Sequence, residues 1–239
     1  MQRVAVITGA SQGLGLELAK SLAADGWSLV IDGRRADPLA DAAAVLQQAA
    51  IEGATVVAVP GDVADAAHRT ELAAAARRLG PLQLVVNNAS TLGASPLPTL
   101  ADLEPTTYAR ILEVNVVAPI ALTALLLPQL RKRGGRVVNI TSDASVEAYE
   151  TWGGYGSAKA ALDHATRVLA AEEPDLHIYA VDPGDLRTAM HQAAFPGEDI
   201  SDRAEPATVV PHLLRLVTGD VPSGRHRAAD LEPVVRVGS

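Results

Sequence analysis

The chain has no cysteine among its 239 residues, which excludes disulfides, thiolate metal sites and a cysteine nucleophile. Aromatic residues make up only 3% of the sequence and hydrophobic residues 48%, so the core must be built mainly from Ala, Val and Leu. The six histidines lack the spacing of metal ligands, which predicts no metal site. The sequence therefore argues against thiol and metal chemistry, and its small apolar side chains favour close packing between helices and a sheet.

The charge balance and the apolar runs set further limits. A net charge of −8 argues against nucleic-acid binding, although it leaves room for a local basic pocket. The first ten residues lead into a predicted strand without a signal-type apolar region. The longest apolar run, residues 114–127, is interrupted by Asn115 and Pro119. We therefore expect a cytoplasmic protein with neither a nucleic-acid nor a membrane partner.

Apolar strands alternate with helical segments along the whole chain. Strands are predicted at residues 3–8, 28–32, 55–59, 82–86, 136–140, 176–181 and 223–228. Helices are predicted at residues 13–26, 38–52, 64–79, 105–133 with a bend at Pro119, 155–171 and 206–217. Strands without polar alternation and long crossovers are typical of a parallel sheet covered on both faces.

This pattern predicts an α/β fold with a Rossmann-like doubly wound sheet of six or seven mainly parallel strands, flanked by helices on both faces. We expect a single domain over residues 1–239, because no boundary or repeat interrupts the pattern. Residues 183–205 lack periodicity and are predicted to form a substrate-side loop. Residues 230–239 are predicted to form a peripheral tail.

A glycine-rich turn, TGASQGLG at residues 8–15, joins the first predicted strand to the first helix. Gly9 would allow the sharp turn, Gly13 the approach of a pyrophosphate to the backbone, and Gly15 close packing of the helix on the sheet. The helix N-terminus would face the diphosphate, and Ser11 could donate a further hydrogen bond. The turn therefore indicates a dinucleotide site, with a tight turn that binds nothing as the alternative.

A second cluster of polar residues lies in the stretch from Ser142 to Lys159. Tyr155 and Lys159 are four residues apart and share one face of a predicted helix, while Ser142 follows a predicted strand. The ammonium would favour the phenolate, and lowering the tyrosine pKa from about 10 to near 7 would take about 4 kcal/mol. Ser142 could hold a substrate oxygen while Tyr155 moves the proton. The alternative is a packing tyrosine and a solvated lysine.

Six motifs occur in the order that one family shows. They are the glycine turn, the Asn-Asn-Ala run that ends at Ala89, Asn115, Ser142, the YGSAK run from Tyr155 to Lys159, and the Pro183-Gly184 pair. Over nearly its whole length the chain therefore resembles the short-chain dehydrogenase/reductase family. The thirteen residues from Ser142 to Tyr155 are the family's usual spacing.

The resemblance implies roles for four catalytic residues. Tyr155 would be the acid/base, and Ser142 would orient the substrate oxygen. Lys159 would lower the pKa of Tyr155 and bind the nicotinamide ribose, and Asn115 would hold a water that links Lys159 to solvent.

The resemblance also implies a set of cofactor contacts and a homodimer or homotetramer. The contacts would come from Gly9, Ser11, Gln12, Gly13, Leu14, Gly15, Asp62, Val63, Asn88, Ala89, Ser90, Tyr155, Lys159, Pro183, Gly184 and Thr188. Two positions depart from the family pattern, since Ser90 replaces a glycine and Asp182 replaces an asparagine or alanine.

The residues after the second strand bear on the choice of nicotinamide cofactor. If Gly33 occupies the position of the usual acidic residue, Arg34 can pair with a 2′-phosphate, and Arg35 could add to that contact. This alignment predicts NADP(H). NAD(H) is the alternative, since a shift by one residue would make Asp32 the ribose ligand. A further alternative is that both arginines are solvated.

These residues together predict an NADP(H)-dependent oxidoreductase, a ketoreductase that interconverts a small-molecule carbonyl and a secondary alcohol. A catalytically silent NADP(H)-binding sensor or scaffold is the alternative, and an epimerase or dehydratase is a third reading. Tyr149 and Trp152 would line the substrate pocket or simply pack. Met190 and Phe195 could be lid residues, and His191 lies near the expected cleft.

Overall fold

Seven strands form one parallel sheet in the computed structural model of the chain, which describes residues 3–235. The strands are β1 Arg3–Ile7, β2 Trp27–Gly33, β3 Val56–Pro60, β4 Leu82–Asn87, β5 Arg136–Ile140, β6 His177–Asp182 and β7 Gly224–Arg227. Their order is β3-β2-β1-β4-β5-β6-β7, and every neighbouring pair is parallel. The order reverses between β1 and β4, so a crevice opens there at the carboxyl ends of the strands.

Helices cover both faces of this sheet, which confirms the predicted doubly wound fold. They are α1 Gly13–Ala24, α2 Ala36–Ala49, α3 Ala66–Leu79, α4 Pro105–Leu112, α5 Ala118–Leu130, α6 Gly153–Glu172, α7 Ala189–Ala194 and α8 Pro206–Thr218. Alternate residues of β1 point to opposite faces. Ala5 and Ile7 belong to the core formed with α1 and α8, and Val4 and Val6 to the core formed with α3 and α5.

The segment predicted as one bent helix over residues 105–133 is divided into parts. A π-helical segment, Glu113–Val117, separates α4 from α5, and a short 3₁₀ turn, Arg131–Arg133, ends the stretch. Pro119 has no N–H and cannot donate to the carbonyl of Asn115 four residues earlier. The change of helix type therefore lies directly before Pro119, where a bend was expected. The π-helical segment contains Asn115, a candidate catalytic residue.

The same stretch, Pro105–Arg133, is long and apolar enough to cross a membrane, with a mean hydropathy of 2.0 in its most apolar window. Of that window, 44% is buried within the fold. Leu122, Leu126 and Leu130 on α5 belong to the core on one face of the sheet. A buried core helix of a soluble protein passes the same test, so the absence of a membrane partner stays a prediction.

The two segments expected to be irregular contain local structure. Within residues 183–205, α7 forms one short helix whose N-cap, Thr188, accepts a hydrogen bond from the backbone N–H of His191. In the tail, Leu231 and Val234 pack partly against the core, and the Val234 N–H donates to the Pro211 carbonyl on α8. Residues 236–239 of the predicted tail lie outside the described residues.

Candidate active site

A cavity of about 820 Å³ lies at the carboxyl ends of the strands and contains most of the residues predicted from the sequence. The predicted residues that line it are Gly9, Ser11, Gln12, Gly13, Leu14, Arg34, Asp62, Val63, Asn88, Ala89, Ser90, Ser142, Tyr155, Lys159, Pro183, Gly184 and Thr188. Three predicted residues, Gly15, Arg35 and Asn115, are not among the described residues that line it. The residues proposed to bind cofactor and those proposed to transfer a proton therefore share one space.

The glycine turn packs tightly against the loop that follows β4. Gly9 has φ +66°, and a Cβ there would lie 2.9 Å from Ala89 Cα. A Cβ on Gly15 would lie 2.5 Å from Asn88 Nδ2 and 2.6 Å from the Gly9 carbonyl oxygen. Asn88 Nδ2 donates to the carbonyls of Thr8 and Gly9 at 2.9 and 3.1 Å. Gly15 thus acts by allowing close packing, which explains why it does not line the cavity.

The first turn of α1 leaves backbone donors open toward the cavity. Its N-cap, Gln12, makes no side-chain capping bond, and Gly13 and Leu14 line the cavity. The first N–H groups of a helix have no partner within it, and the positive end of the helix dipole favours an anion. This twelve-residue helix therefore offers what the pyrophosphate of a dinucleotide requires.

The Asp32 carboxylate is occupied by the protein itself. Its Oδ1 accepts the Gly9 N–H at 2.6 Å, and its Oδ2 lies 3.1 Å from His68 Nε2. Asp32 is only 1% exposed, and this burial raises the pKa of its carboxyl, against the opposing effect of the His68 hydrogen bond. The carboxylate holds the glycine turn in place. The sequence suggested instead that Asp32 could bind a ribose.

The two arginines after β2 occupy different positions. Arg34 is exposed and lines the cavity, whereas Arg35 is the N-cap of α2 and lies outside the lining among the described residues. A Cβ on Gly33 would lie 3.1 Å from Ser11 Oγ, so the backbone there approaches the glycine turn closely. Of the two, only Arg34 is therefore placed to contact a group bound in the cavity.

Tyr155 and Lys159 lie on the first turns of α6, facing the end of β5. Tyr155 is 8% exposed and Lys159 2%, and Lys159 Nζ lies 5.4 Å from the centroid of the phenol ring. The ammonium donates to the Ile140 carbonyl at 2.7 Å. A Cβ on Gly156 would lie 2.6 Å from the Ala144 carbonyl oxygen, so glycine lets α6 approach the turn after β5.

Burial sets the charge state of these two side chains in the protein alone. It raises the pKa of the Tyr155 phenol, which the neighbouring hydroxyls of Ser90 and Ser142 lower and the Asp182 and Asp143 carboxylates raise further. Burial lowers the pKa of Lys159 to about 8, and Asp163 acts in the opposite direction. The sequence predicted a lowered pKa for Tyr155. That direction is wrong for the protein alone, because desolvation of the phenolate outweighs the nearby ammonium.

Ser142 is held within its own turn. Its Oγ donates to Asp143 Oδ1 at 2.9 Å and accepts the Ala144 N–H at 3.2 Å. Asp143 Oδ2 in turn accepts the Tyr149 hydroxyl at 2.9 Å. Asp143 therefore orients the serine hydroxyl, which must rotate to donate to a substrate oxygen.

The Asn115 side chain is fully buried and engages the loop after β4. Its Oδ1 accepts the Thr91 N–H at 2.9 Å and the Ser90 hydroxyl at 3.0 Å, and its Nδ2 donates to the Thr91 carbonyl at 2.8 Å. The side-chain amide therefore connects the π-helical segment to Ser90 and Thr91. Ser90, in place of the usual glycine, joins Asn115 to the surroundings of the Tyr155 phenol.

A partly buried cation on β7, Arg225, contacts residues next to this site, and no signal in the sequence pointed to it. Arg225 Nε donates to Asp163 Oδ2 at 3.0 Å, and its Nη2 donates to the Ser142 carbonyl at 3.1 Å. The Ser145 hydroxyl also donates to Asp163 Oδ2, at 2.6 Å. Asp163 lies four residues after Lys159 on α6, so one arginine connects the turn of Ser142 to the helix that carries Lys159.

The chain is similar to proteins of known family. The family model described as short chain dehydrogenase matches residues 3–199. Dehydrogenase/reductase SDR family member 4 of Oryctolagus cuniculus is 31% identical over 216 residues, which cover 88% of this chain and 79% of that protein. The uncharacterized oxidoreductase YciK of Escherichia coli K12 is 30% identical, over 91% of this chain and 87% of that protein.

Solved structures agree with this assignment. An alcohol dehydrogenase from the archaeon Thermococcus sibiricus, complexed with 5-hydroxy-NADP, is 28% identical with a TM-score of 0.84 and full coverage of both chains (100% each). A short chain dehydrogenase from Escherichia coli CFT073, complexed with NADPH, is 29% identical with a TM-score of 0.85, over 95% of this chain and 96% of that chain. With matches over most of its sequence and all of its fold, the chain belongs to the short-chain dehydrogenase/reductase family of oxidoreductases.

Proposed function

We propose that the protein is an NADP(H)-dependent oxidoreductase that interconverts a carbonyl compound and a secondary alcohol. One observation carries the proposal: Ser142, Tyr155 and Lys159 line the same cavity as the glycine turn and the open N-terminus of α1. The nicotinamide cofactor would supply the hydride. The Ser142 hydroxyl and the Tyr155 phenol, which line the same cavity, can hold and protonate the carbonyl oxygen of a substrate. The carbonyl carbon would then face the hydride donor, so that both ends of the C=O bond are positioned for reaction.

In this mechanism the chain supplies the proton and fixes the substrate oxygen. The neutral phenol of Tyr155 transfers its proton to that oxygen, while Ser142 turns from Asp143 to donate a hydrogen bond. Lys159, beside the phenol ring, would bind the nicotinamide ribose. For reprotonation we propose a water held by the backbone carbonyl of Asn115, because Pro119 cannot donate to that carbonyl and the side chain is already engaged.

The first test is turnover. We expect oxidation of NADPH, followed by its absorbance, with at least one member of a panel of ketones, quinones and oxidised sugars. Binding of NADPH without turnover across the panel would support the sensor or scaffold instead. Ser142, Tyr155 and Lys159 line one cavity, and this favours an enzyme over a sensor, because a pure sensor has no physical need for a proton donor beside its cofactor.

The cofactor preference should depend on Arg34. Arg34→Ala is expected to raise the KM for NADPH by about tenfold or more and leave that for NADH nearly unchanged, since a hydrogen bond to a charged group contributes about 1.5–3 kcal/mol. Arg35→Ala is the matched control, because Arg35 lies outside the cavity and should change neither value appreciably. A preference of the unmodified enzyme for NADH would contradict the proposal.

The pH dependence should differ between the two directions of the reaction. Because burial raises the pKa of Tyr155, the neutral phenol needed for reduction is fully present at neutral pH, whereas the phenolate needed for oxidation is scarce. Between about pH 6 and pH 7.5, below the Lys159 pKa of about 8, kcat/KM should stay flat for reduction. It should rise about tenfold per pH unit for alcohol oxidation. A reduction rate that falls across this window would show that Tyr155 is already ionised.

We also propose that the protein forms a homodimer or homotetramer through α5 and α6. Val117, Ile120 and Leu125 along the α5 stretch are exposed, as is Val168 on α6. An isolated monomer would leave these apolar side chains in water, whereas a second copy of the chain could cover them.

A further inference from the structure

Aromatic side chains are concentrated at the substrate end of the cavity. The chain has two Trp, four Tyr and one Phe. Four of these residues, Tyr149, Trp152, Tyr155 and Phe195, line the cavity. In a protein whose core is built from small aliphatic residues, this concentration requires a reason other than general packing.

The rings form one continuous surface that starts at the catalytic phenol. Trp152 lies 5.7 Å from Tyr155 between ring centroids, edge-on at 72°, and 6.0 Å from Phe195. Phe195 lies 5.1 Å from the His191 ring. We call these four residues, His191, Trp152, Tyr155 and Phe195, the aromatic wall. Trp152 is the N-cap of α6 and Phe195 the C-cap of α7, so two separate elements meet to build the aromatic wall.

The aromatic wall is only partly covered by the protein. Trp152, His191 and Phe195 are half-buried, whereas the cores on the two faces of the sheet consist of fully buried side chains. Leu92 and Met190 complete the apolar surroundings of Tyr155. The Nε2 atom of His191 is buried without a hydrogen-bond partner among the described residues. A ligand in contact with α7 would cover the open apolar surface and could pair with this nitrogen.

The charges around the wall are predominantly negative. Asp143, Glu150 and Asp185 line this end of the cavity. Of the cations there, Arg187 pairs with Glu205, and Lys159 donates to the Ile140 carbonyl. Arg203 Nε lies 3.7 Å from Asp185 Oδ2 and offsets part of the charge of that carboxylate. Among the described residues, each arginine or lysine at this end of the cavity already has a partner, so a carboxylate on a substrate would meet the acidic side chains without an unpaired cation to bind it.

We propose that the substrate is an uncharged aryl carbonyl compound, whose ring packs on the aromatic wall while its carbonyl meets Tyr155 and Ser142. This inference rests on the proposed function. The reaction adds a hydride to the carbonyl carbon and a proton from Tyr155 to the oxygen, so the ketone is reduced to a secondary alcohol as NADPH is oxidised. The acidic residues disfavour carbonyl compounds that carry a carboxylate.

Two matched pairs of ketones test the two parts of the inference. Acetophenone and cyclohexyl methyl ketone differ in aromaticity, and 4-acetylbenzamide and 4-acetylbenzoate differ in charge at nearly equal size. We expect kcat/KM to be about threefold to tenfold higher for acetophenone than for the cyclohexyl ketone. We expect it to be at least about tenfold higher for the amide than for the carboxylate.

Variants connect these preferences to the residues. Trp152→Leu and, separately, Phe195→Leu should reduce the aromatic preference toward unity, and a Glu150→Gln, Asp185→Asn double variant should narrow the amide-to-carboxylate ratio. Glu52→Gln, at an exposed position after α2, is the control and should change neither ratio. The Tm and the NADPH affinity of each variant identify any variant that fails to fold. The kcat/KM ratios of the wild-type enzyme test the inference even if a variant fails to fold.

The outcomes separate this inference from the function on which it rests. Turnover of all four ketones with equal kcat/KM within each pair, or a preference for the carboxylate, would overturn the aryl assignment and leave the ketoreductase intact. Wild-type ratios that persist unchanged in the Trp152, Phe195 and double variants would also overturn it. NADPH binding with turnover of none of the four, nor of any other carbonyl, would overturn the proposed function as well.

Discussion

Tyr155→Phe is expected to lower kcat for ketone reduction by about 10³-fold, with little change in the affinity for NADPH. A positioned general acid contributes a factor of about 10² to 10⁴ in rate. The phenylalanine ring keeps the shape of the tyrosine side chain but lacks the hydroxyl that would donate the proton. The ring contacts with Trp152 and Lys159 do not require the hydroxyl and should persist. Some activity should remain, because Ser142 still polarises the carbonyl.

The control for this variant removes a different phenol hydroxyl. The Tyr108 hydroxyl, on α4, lies 3.0 Å from Ser157 Oγ and does not line the cavity among the described residues. Tyr108→Phe should therefore keep kcat within about twofold of the wild type. Stopped-flow measurement of NADPH oxidation together with fluorescence titration of NADPH separates chemistry from binding. A Tyr155→Phe enzyme with nearly full kcat would remove Tyr155 from the mechanism.

Gly15→Ala is expected to weaken NADPH binding by at least about tenfold and to lower the Tm by several degrees. At an open helical site the same change would stabilise by about 0.5–1 kcal/mol. Here the new methyl would lie 2.5 Å from Asn88 Nδ2 and 2.6 Å from the Gly9 carbonyl oxygen, so α1 or Asn88 must move. Overpacking of this kind costs about 1–3 kcal/mol, and about 2–4 °C of Tm for each kcal/mol in a chain of this size.

The binding loss should follow from the same displacement. Asn88 holds the carbonyls of Thr8 and Gly9, which form the turn under the predicted pyrophosphate site. Glu17→Ala on the outer face of α1 removes only a partly exposed pair with Lys20 and should change stability by less than about 0.5 kcal/mol. Calorimetry and titration of NADPH measure the two effects. A Gly15→Ala protein that binds NADPH normally would show that the turn tolerates a wider separation.

Local patterns made much of this site predictable. The glycine turn, Ser142, Tyr155 and Lys159 could be placed from sequence because each role depends on short spacing along one strand, turn or helix. Pro119, four residues after Asn115, carried the signal for the change of helix type, although the sequence indicated only a bend. The fold followed from the alternation of apolar strands and helices, and residues 183–205 could not be read further because α7 is only six residues long.

Interactions between distant segments could not be predicted. Asp32 meets His68 across 36 positions and Arg225 meets Asp163 across 62, and both pairings depend on how helices and strands pack against one another. The direction of the Tyr155 pKa failed for a related reason. The sequence shows the neighbouring lysine, but the extent of burial, which dominates here, emerges only from the assembled fold.

The Arg225 guanidinium connects the last described strand, β7, to the turn of Ser142 and to the helix that carries Lys159. Gly224–Arg227 lies beyond the stretch matched by the family model and contains none of the motifs by which the family is recognised. A chimera that exchanged this edge strand for one without an arginine would leave the buried Asp163 carboxylate without its ion pair to Arg225, one helical turn from Lys159. Engineering of this scaffold by segment exchange should therefore keep β7 together with α6 and the turn after β5.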